Sequence, residues 1–133
     1  MRLFALASLL GLAALGCHGP PHSSEMTVTQ APTPTTAATP ESEAAGIFRD
    51  RCAVCHGAQG GGDGPAGMAL TPRPRNFRDA AWHASMTDAQ IERSILEGGA
   101  AVGKSAAMPP APDLANRRPV LVALRAYVRS MRP

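Results

Sequence analysis

Apolar residues fall along the chain in a pattern that divides it into three parts. Leu3 to Leu15 form an unbroken run of thirteen apolar or small residues behind one basic residue, Arg2. A bilayer span takes roughly twenty residues, so the run predicts a cleavable export signal over 1–16. Residues 18–43 contain no Phe, Leu or Ile and are rich in Pro, Thr, Ala and Ser. Nothing in them offsets the entropy of ordering a backbone, and a disordered tether is expected. Helical periodicity begins after that. Ala44, Ile47 and Phe48 share one face of a helix near 42–51. A short helical piece is expected over Phe77–Trp82. Ile91 and Ile95 make an i, i+4 pair in a helix over 88–97, opened by a Thr87/Gln90 capping box and closed by Gly98. Leu121, Leu124, Val128 and Met131 form the buried stripe of a last helix near 119–131, with Pro119 in its first turn. Arg125, Arg129 and Arg132 fall to the wet face of that helix. The expected fold is an all-α domain over 44–133, of three to four helices joined by loops.

Composition adds a constraint. Only five residues in the chain are aromatic: Phe4, Phe48, Phe77, Trp82 and Tyr127. A domain of this size with so few large side chains struggles to bury enough apolar area alone. Such domains borrow stability from a disulfide, a metal or a cofactor. The charge divides at the same boundary as the hydropathy. The tether holds Glu25, Glu41 and Glu43 and no Lys or Arg, whereas residues 44–133 hold twelve Lys/Arg against seven Asp/Glu, a net +5. No basic run is interleaved with aromatics, so nucleic-acid binding is not supported. A scattered positive surface can instead steer an acidic redox partner.

The signal ends in Ala14-Leu15-Gly16-Cys17. This resembles a bacterial lipoprotein cleavage box with Ala14 and Leu15 in swapped order, and it implies lipidation of Cys17; ordinary signal cleavage before Cys17 is the alternative. Either way the product is exported, and acylation would consume a thiol that is otherwise stray in an oxidising compartment. Fully stretched, the 26 residues that follow Cys17 reach about 85 Å at roughly 3.3 Å each. His18 and His22 read as solvated tail residues.

Cys52-Ala53-Val54-Cys55-His56 carries the chemistry. C-x-x-C-H is the attachment signature of a c-type haem. Two intervening residues let one turn of chain offer both sulfurs to the vinyl edge of a rigid porphyrin, and the next residue brings an imidazole under the iron as an axial ligand. Two other readings compete. A disulfide exchanger would want a thioredoxin-type βαβ context, and zinc would need a fourth ligand, for which His83 is at hand.

Residues 98–110, GGAAVGKSAAMPP, contain Gly98, Gly103, Lys104 and Ser105 in the phosphate-loop pattern G-x-x-x-x-G-K-[ST]. A true phosphate loop follows a strand and opens a helix. Here a helix precedes it and Met-Pro-Pro follows, so no nucleotide is expected. The stretch suits a second axial ligand: Met108 follows a glycine-rich approach, and Pro109 and Pro110 stiffen its exit. A thioether opposite His raises the potential of an electron carrier. Met68 and Met86 lack that stiffened loop, Met131 reads as core, and His83 would give a bis-His iron.

From about Ala44 to Met131 the chain resembles the class I c-type cytochromes, small mono-haem electron carriers. CAVCHG, the glycines and proline of Ala58–Pro65, the Ala107–Pro110 methionine loop and the C-terminal LRAYVRSM carry the likeness. The resemblance implies that the Pro65 carbonyl accepts a hydrogen bond from Nδ1 of the axial histidine, that Tyr127 packs on the first helix, and that electrons leave by the haem edge beside the cysteines. Arg73, Arg75 and Trp82 become candidates to meet the haem propionates. Where the family often has Gly, eight residues before the first haem cysteine, this chain has Ala44. The implied function is a single-electron carrier with one covalent haem c, held by Cys52 and Cys55 and ligated by His56 and Met108. It would exchange electrons with a redox donor and acceptor at the periplasmic face of a bacterial membrane, as a carrier and not a catalyst. A haem subunit of a larger oxidoreductase, and a sensor or small enzyme in which Met108 leaves, are the alternatives.

Overall fold

The computed structural model describes residues 37–133. The export signal, Cys17, His18, His22 and the tether as far as residue 36 lie outside the described residues. Among the described residues there are helices and loops and no strand, so the expected all-α class is the one adopted.

Helix α1 (Pro40–Ile47) begins inside the segment assigned to the tether. Thr39 is extended and its side chain accepts from the Ser42 amide; Pro40 occupies the first turn with Glu41 and Glu43. Hydroxyl cap, proline and acidic residues each favour a helix start, and the apolar count of 18–43 hides them. Nor does the helix end at 51. It continues through a wider-wound π stretch, Phe48–Cys52, in which the Ala53 amide bonds back to the Phe48 carbonyl, and on into α2 (Ala53–His56). Gly57, at φ 81°, stops it.

Helix α3 (Ala80–Ser85) starts three residues later than Phe77, because the Asp79 carboxylate accepts from the Ala81 and Trp82 amides and sets the first turn there. Helix α4 (Asp88–Ala101) opens on the expected capping box of Thr87 and Gln90 and is broken at Gly98, with φ 79° and ψ 172°. Its regular part therefore ends where the sequence places it. Helix α5 (Arg118–Ser130) carries Pro119 in its first turn.

The core joins Ala44, Phe48, Phe77, Leu114, Val120, Leu121, Leu124 and Val128, with Ile47, Tyr127 and Met131 packed against it. Helix α1 packs mainly on α5. Ala44 is fully buried there, so a single methyl is accommodated where the family often has none. The Phe48 ring lies 5.1 Å from Tyr127 and 6.3 Å from Phe77, both tilted. Leu114, in a 3-10 turn over Pro112–Leu114, is also fully buried and has no periodic partner in sequence.

Two arginines of α5 lie where charge alone would not put them. Arg125 and Arg129 are half-buried and not on the wet face. Arg125 pairs with Asp88, its Nε lies 3.7 Å from Glu92 Oε1, and Arg129 Nη2 lies 2.9 Å from Asp88 Oδ1. Arg118 donates to Glu92 Oε2 at 2.6 Å. Acids four apart on α4 meet arginines four apart on α5, so the two helices are zipped by charge beside their apolar contact. Arg132 is exposed, as expected.

Candidate haem-binding site

The C-x-x-C-H motif sits on helical backbone. Cys52 is αR at the junction, and Ala53–His56 form α2. Positions 52, 55 and 56 are therefore i, i+3 and i+4 and share one face. Both cysteines are unpaired and half-buried. Burial pushes the Cys52 thiol above its ordinary pKa, with the neighbouring Arg51 pulling the other way. The donor face is presented as thiols and not as a disulfide.

The carbonyl end of so short a helix should leave four orphan acceptors. Each of them finds a loop amide. Ala66 N donates to Val54 O at 2.9 Å, Gly64 N to Cys55 O at 3.2 Å, Gly62 N to His56 O at 2.8 Å and Gly60 N to the O of the capping Gly57 at 3.0 Å. The chain of 57–67 is thereby folded flat against the motif's own backbone. A Cβ on Gly64 would stand 2.5 Å from Ala53 O and 2.6 Å from Val54 O, and one on Gly67 would collide with Cys55 O. Close approach to the attachment helix is what demands glycine here.

His56 is held on two sides. Its Nδ1 lies 3.1 Å from the Arg75 carbonyl, and its ring stacks on Phe77 at 4.4 Å and 13°. A carbonyl can only accept, so Nδ1 carries the proton and Nε2 keeps its lone pair. Burial lowers the pKa of His56, partly offset by the bond to Arg75. The neutral imidazole is the state a metal requires. The resemblance implied Pro65 as the acceptor, and the geometry gives a different partner. The amides on either side of Pro65 are spent on Cys55 and Val54 carbonyls at the end of α2, while the later segment Arg75–Phe77 runs along the imidazole. Because the acceptor is a backbone carbonyl, no residue type marked it in the sequence.

The other candidates are placed as follows. The Arg75 side chain is exposed, with Nη1 3.9 Å from the Asp79 carboxylate. Trp82 packs its ring 5.2 Å from Phe77, one ring beyond His56. Arg73 Nη1 approaches the Met68 sulfur at 3.3 Å, and Met68 is exposed. Met131 packs against the core beside Gly60. His83 is buried with both ring nitrogens engaged: Nε2 lies 2.6 Å from Phe77 O and Nδ1 lies 3.2 Å from Arg129 Nη1. It has no nitrogen left for iron or zinc. Among the described residues no three His, Cys, Asp or Glu side chains converge to hold an ion.

Met108 is half-buried in a loop that lies on the end of α4. Gly99 N donates to Met108 O at 2.9 Å, Lys104 N to Gly99 O at 2.7 Å and Ala111 N to Ile95 O at 2.9 Å. A Cβ on Gly98 would stand 2.9 Å from Met108 O and from Pro110 N, and one on Gly99 would collide with Ser105 O. Gly98 of the phosphate-loop pattern, together with Gly99, thus lets the methionine loop close on α4, and the Lys104 amide is spent within that turn.

The donor set fits a covalently held haem: two free thiols one turn apart, then an imidazole with Nε2 available and Nδ1 fixed. Fold and site together define an all-α haem-attachment protein. The chain belongs to the cytochrome c family, whose model, "Cytochrome c", matches residues 41–132. No curated protein matches it. Membership implies covalent haem c and an electron-transfer role. The matched span begins one residue after α1 does, which agrees with the helix start at Pro40.

Proposed function

We propose that this protein is a single-electron carrier with one haem c, bound through Cys52 and Cys55 and ligated by His56 and Met108, working outside the cytoplasm on a lipid anchor at Cys17. The observation that carries the reading is the shared face of Cys52, Cys55 and His56, with His56 Nδ1 committed to the Arg75 carbonyl. When bound, the haem supplies the reversible one-electron couple. The chain's own residues do the rest. The Arg75 carbonyl orients the imidazole and strengthens it as a donor. Gly98 and Gly99 let the Met108 loop close on α4, and Pro109 and Pro110 stiffen its exit. Were His56 and Met108 both to bind the iron, they would leave it no open site for a small substrate. Val54, between the two cysteines, is exposed, which supports electron exit on that side. The Leu15-Gly16-Cys17 sequence supports the anchor.

A pyridine-haemochrome spectrum and the intact mass of the membrane-extracted protein test attachment, haem count and acylation together. One haem and a diacylated Cys17 are expected; a colourless mature protein would end the proposal. Ligation is tested by the near-infrared sulfur-to-iron band of the oxidised form. It should be present in the unmodified protein and lost in Met108→Ala, which should also bind carbon monoxide when reduced. An unchanged band in that variant would move the ligand to another methionine.

A further inference from the structure

The residues that hold His56 are themselves held, and by a residue the electron-transfer role does not use. Arg75 supplies the acceptor for His56 Nδ1 and Phe77 supplies the ring stacked on it. These two lie within one three-residue segment. That segment is fixed at Phe77 from both sides: Phe77 N donates to Gly60 O at 2.6 Å, and Phe77 O faces His83 Nε2 at 2.6 Å. His83 is 5% exposed. Its tautomer follows from its partners. Phe77 O can only accept, so Nε2 carries the proton; Arg129 can only donate, so Nδ1 is the acceptor. Arg129 is braced in turn. It donates to the His83 and Met86 carbonyls, and its guanidinium pairs with Asp88.

We propose that His83 is a positioning residue for His56: its Nε2–H fixes the Phe77 carbonyl and so sets the Arg75–Phe77 segment that orients and polarises the imidazole. The proposal rests on His56 being the axial ligand. A path of direct contacts runs from Asp88 through Arg129, His83 and Phe77 to His56, and every polar group on it has a partner. A histidine this buried, with both ring nitrogens spent on protein partners, is otherwise a costly choice for a position that an apolar side chain would fill.

The test compares His83→Gln with His83→Asn in the matured holoprotein. The Gln amide nitrogen reaches the position of Nε2 and keeps the donor to Phe77 O; the Asn amide reaches only the position of Nδ1 and loses it. The weaker Nδ1–H bond in His83→Asn makes the imidazole a poorer donor, so its reduction potential should shift positive. The His56 Nδ1–H proton should also exchange with solvent at least about tenfold faster, as expected for a local opening. His83→Gln should match the unmodified protein in both. Equal behaviour of the two variants, shifted or not, overturns the proposal. A second measurement needs no variant. In the unmodified protein one opening exposes both ring protons, so His83 Nε2–H and His56 Nδ1–H should exchange at matching rates; rates more than about tenfold apart overturn it. The underlying reading is checked in the same samples. Absence of paramagnetically shifted His56 ring resonances in the oxidised unmodified protein defeats His56 ligation. Their presence, with Asn and Gln variants alike, defeats the role of His83 alone.

Discussion

Gly64 shows how much a missing side chain can decide. Its amide bonds to Cys55 O while the space a Cβ would need is taken by the Ala53 and Val54 carbonyls. Gly64→Ala should therefore lower the stability of the holoprotein by about 1–3 kcal/mol, the usual cost of overpacking; denaturant unfolding followed by haem absorbance checks it. A loss under about 0.5 kcal/mol would mean that the loop gives way without disturbing the motif. Residue chemistry that is local was legible from the sequence. The C-x-x-C-H spacing, the Thr87/Gln90 box and the Gly98 stop depend on neighbours in the chain, and they stand where the sequence puts them. The Arg75 carbonyl and the task of His83 were not legible. The first is a backbone atom with no residue identity, and the second depends on a contact with Arg129, 46 positions away.

At the level of elements, periodicity located the faces of α4 and α5 but not the partners of their charges. The apolar stripe Leu121, Leu124, Val128 is buried as the spacing requires. Arg125 and Arg129 lie beside that stripe, and only the approach of α4 turns them from solvent to Asp88 and Glu92. The start of α1 was obscured by composition: Thr39-Pro40-Glu41 has the chemistry of a helix N-terminus inside a segment without large apolar residues. Glu92, with a side chain only 9% exposed, tests the zipper. Glu92→Gln removes the charge facing Arg118 and the buried Arg125 Nε, and should cost about 1–3 kcal/mol in unfolding free energy. Since α4 also carries the Met108 loop, the sulfur-to-iron band that the proposed Met108 ligation predicts should, in this variant, fade at lower denaturant than global unfolding. Simultaneous loss of band and fold would uncouple the zipper from the loop.

The whole described domain has four large side chains that are fully buried: Phe48, Leu114, Leu121 and Leu124. That is a thin core for its length, and the composition alone pointed to a non-protein contribution. Replacing Cys52 and Cys55 together by Ala removes the means of attachment. The product should lose its cooperative calorimetric transition and much of its far-ultraviolet helical signal. A sharp transition retained in that variant would show that the polypeptide suffices by itself.

The four loop amides laid on the four carbonyls at the end of α2 have a consequence for speed. With its last turn tied at every acceptor, the attachment helix would have little freedom to readjust as a bound haem gained or lost an electron. A small nuclear rearrangement between oxidation states lowers the barrier to self-exchange, so this protein should trade electrons rapidly even with partners of nearly equal potential.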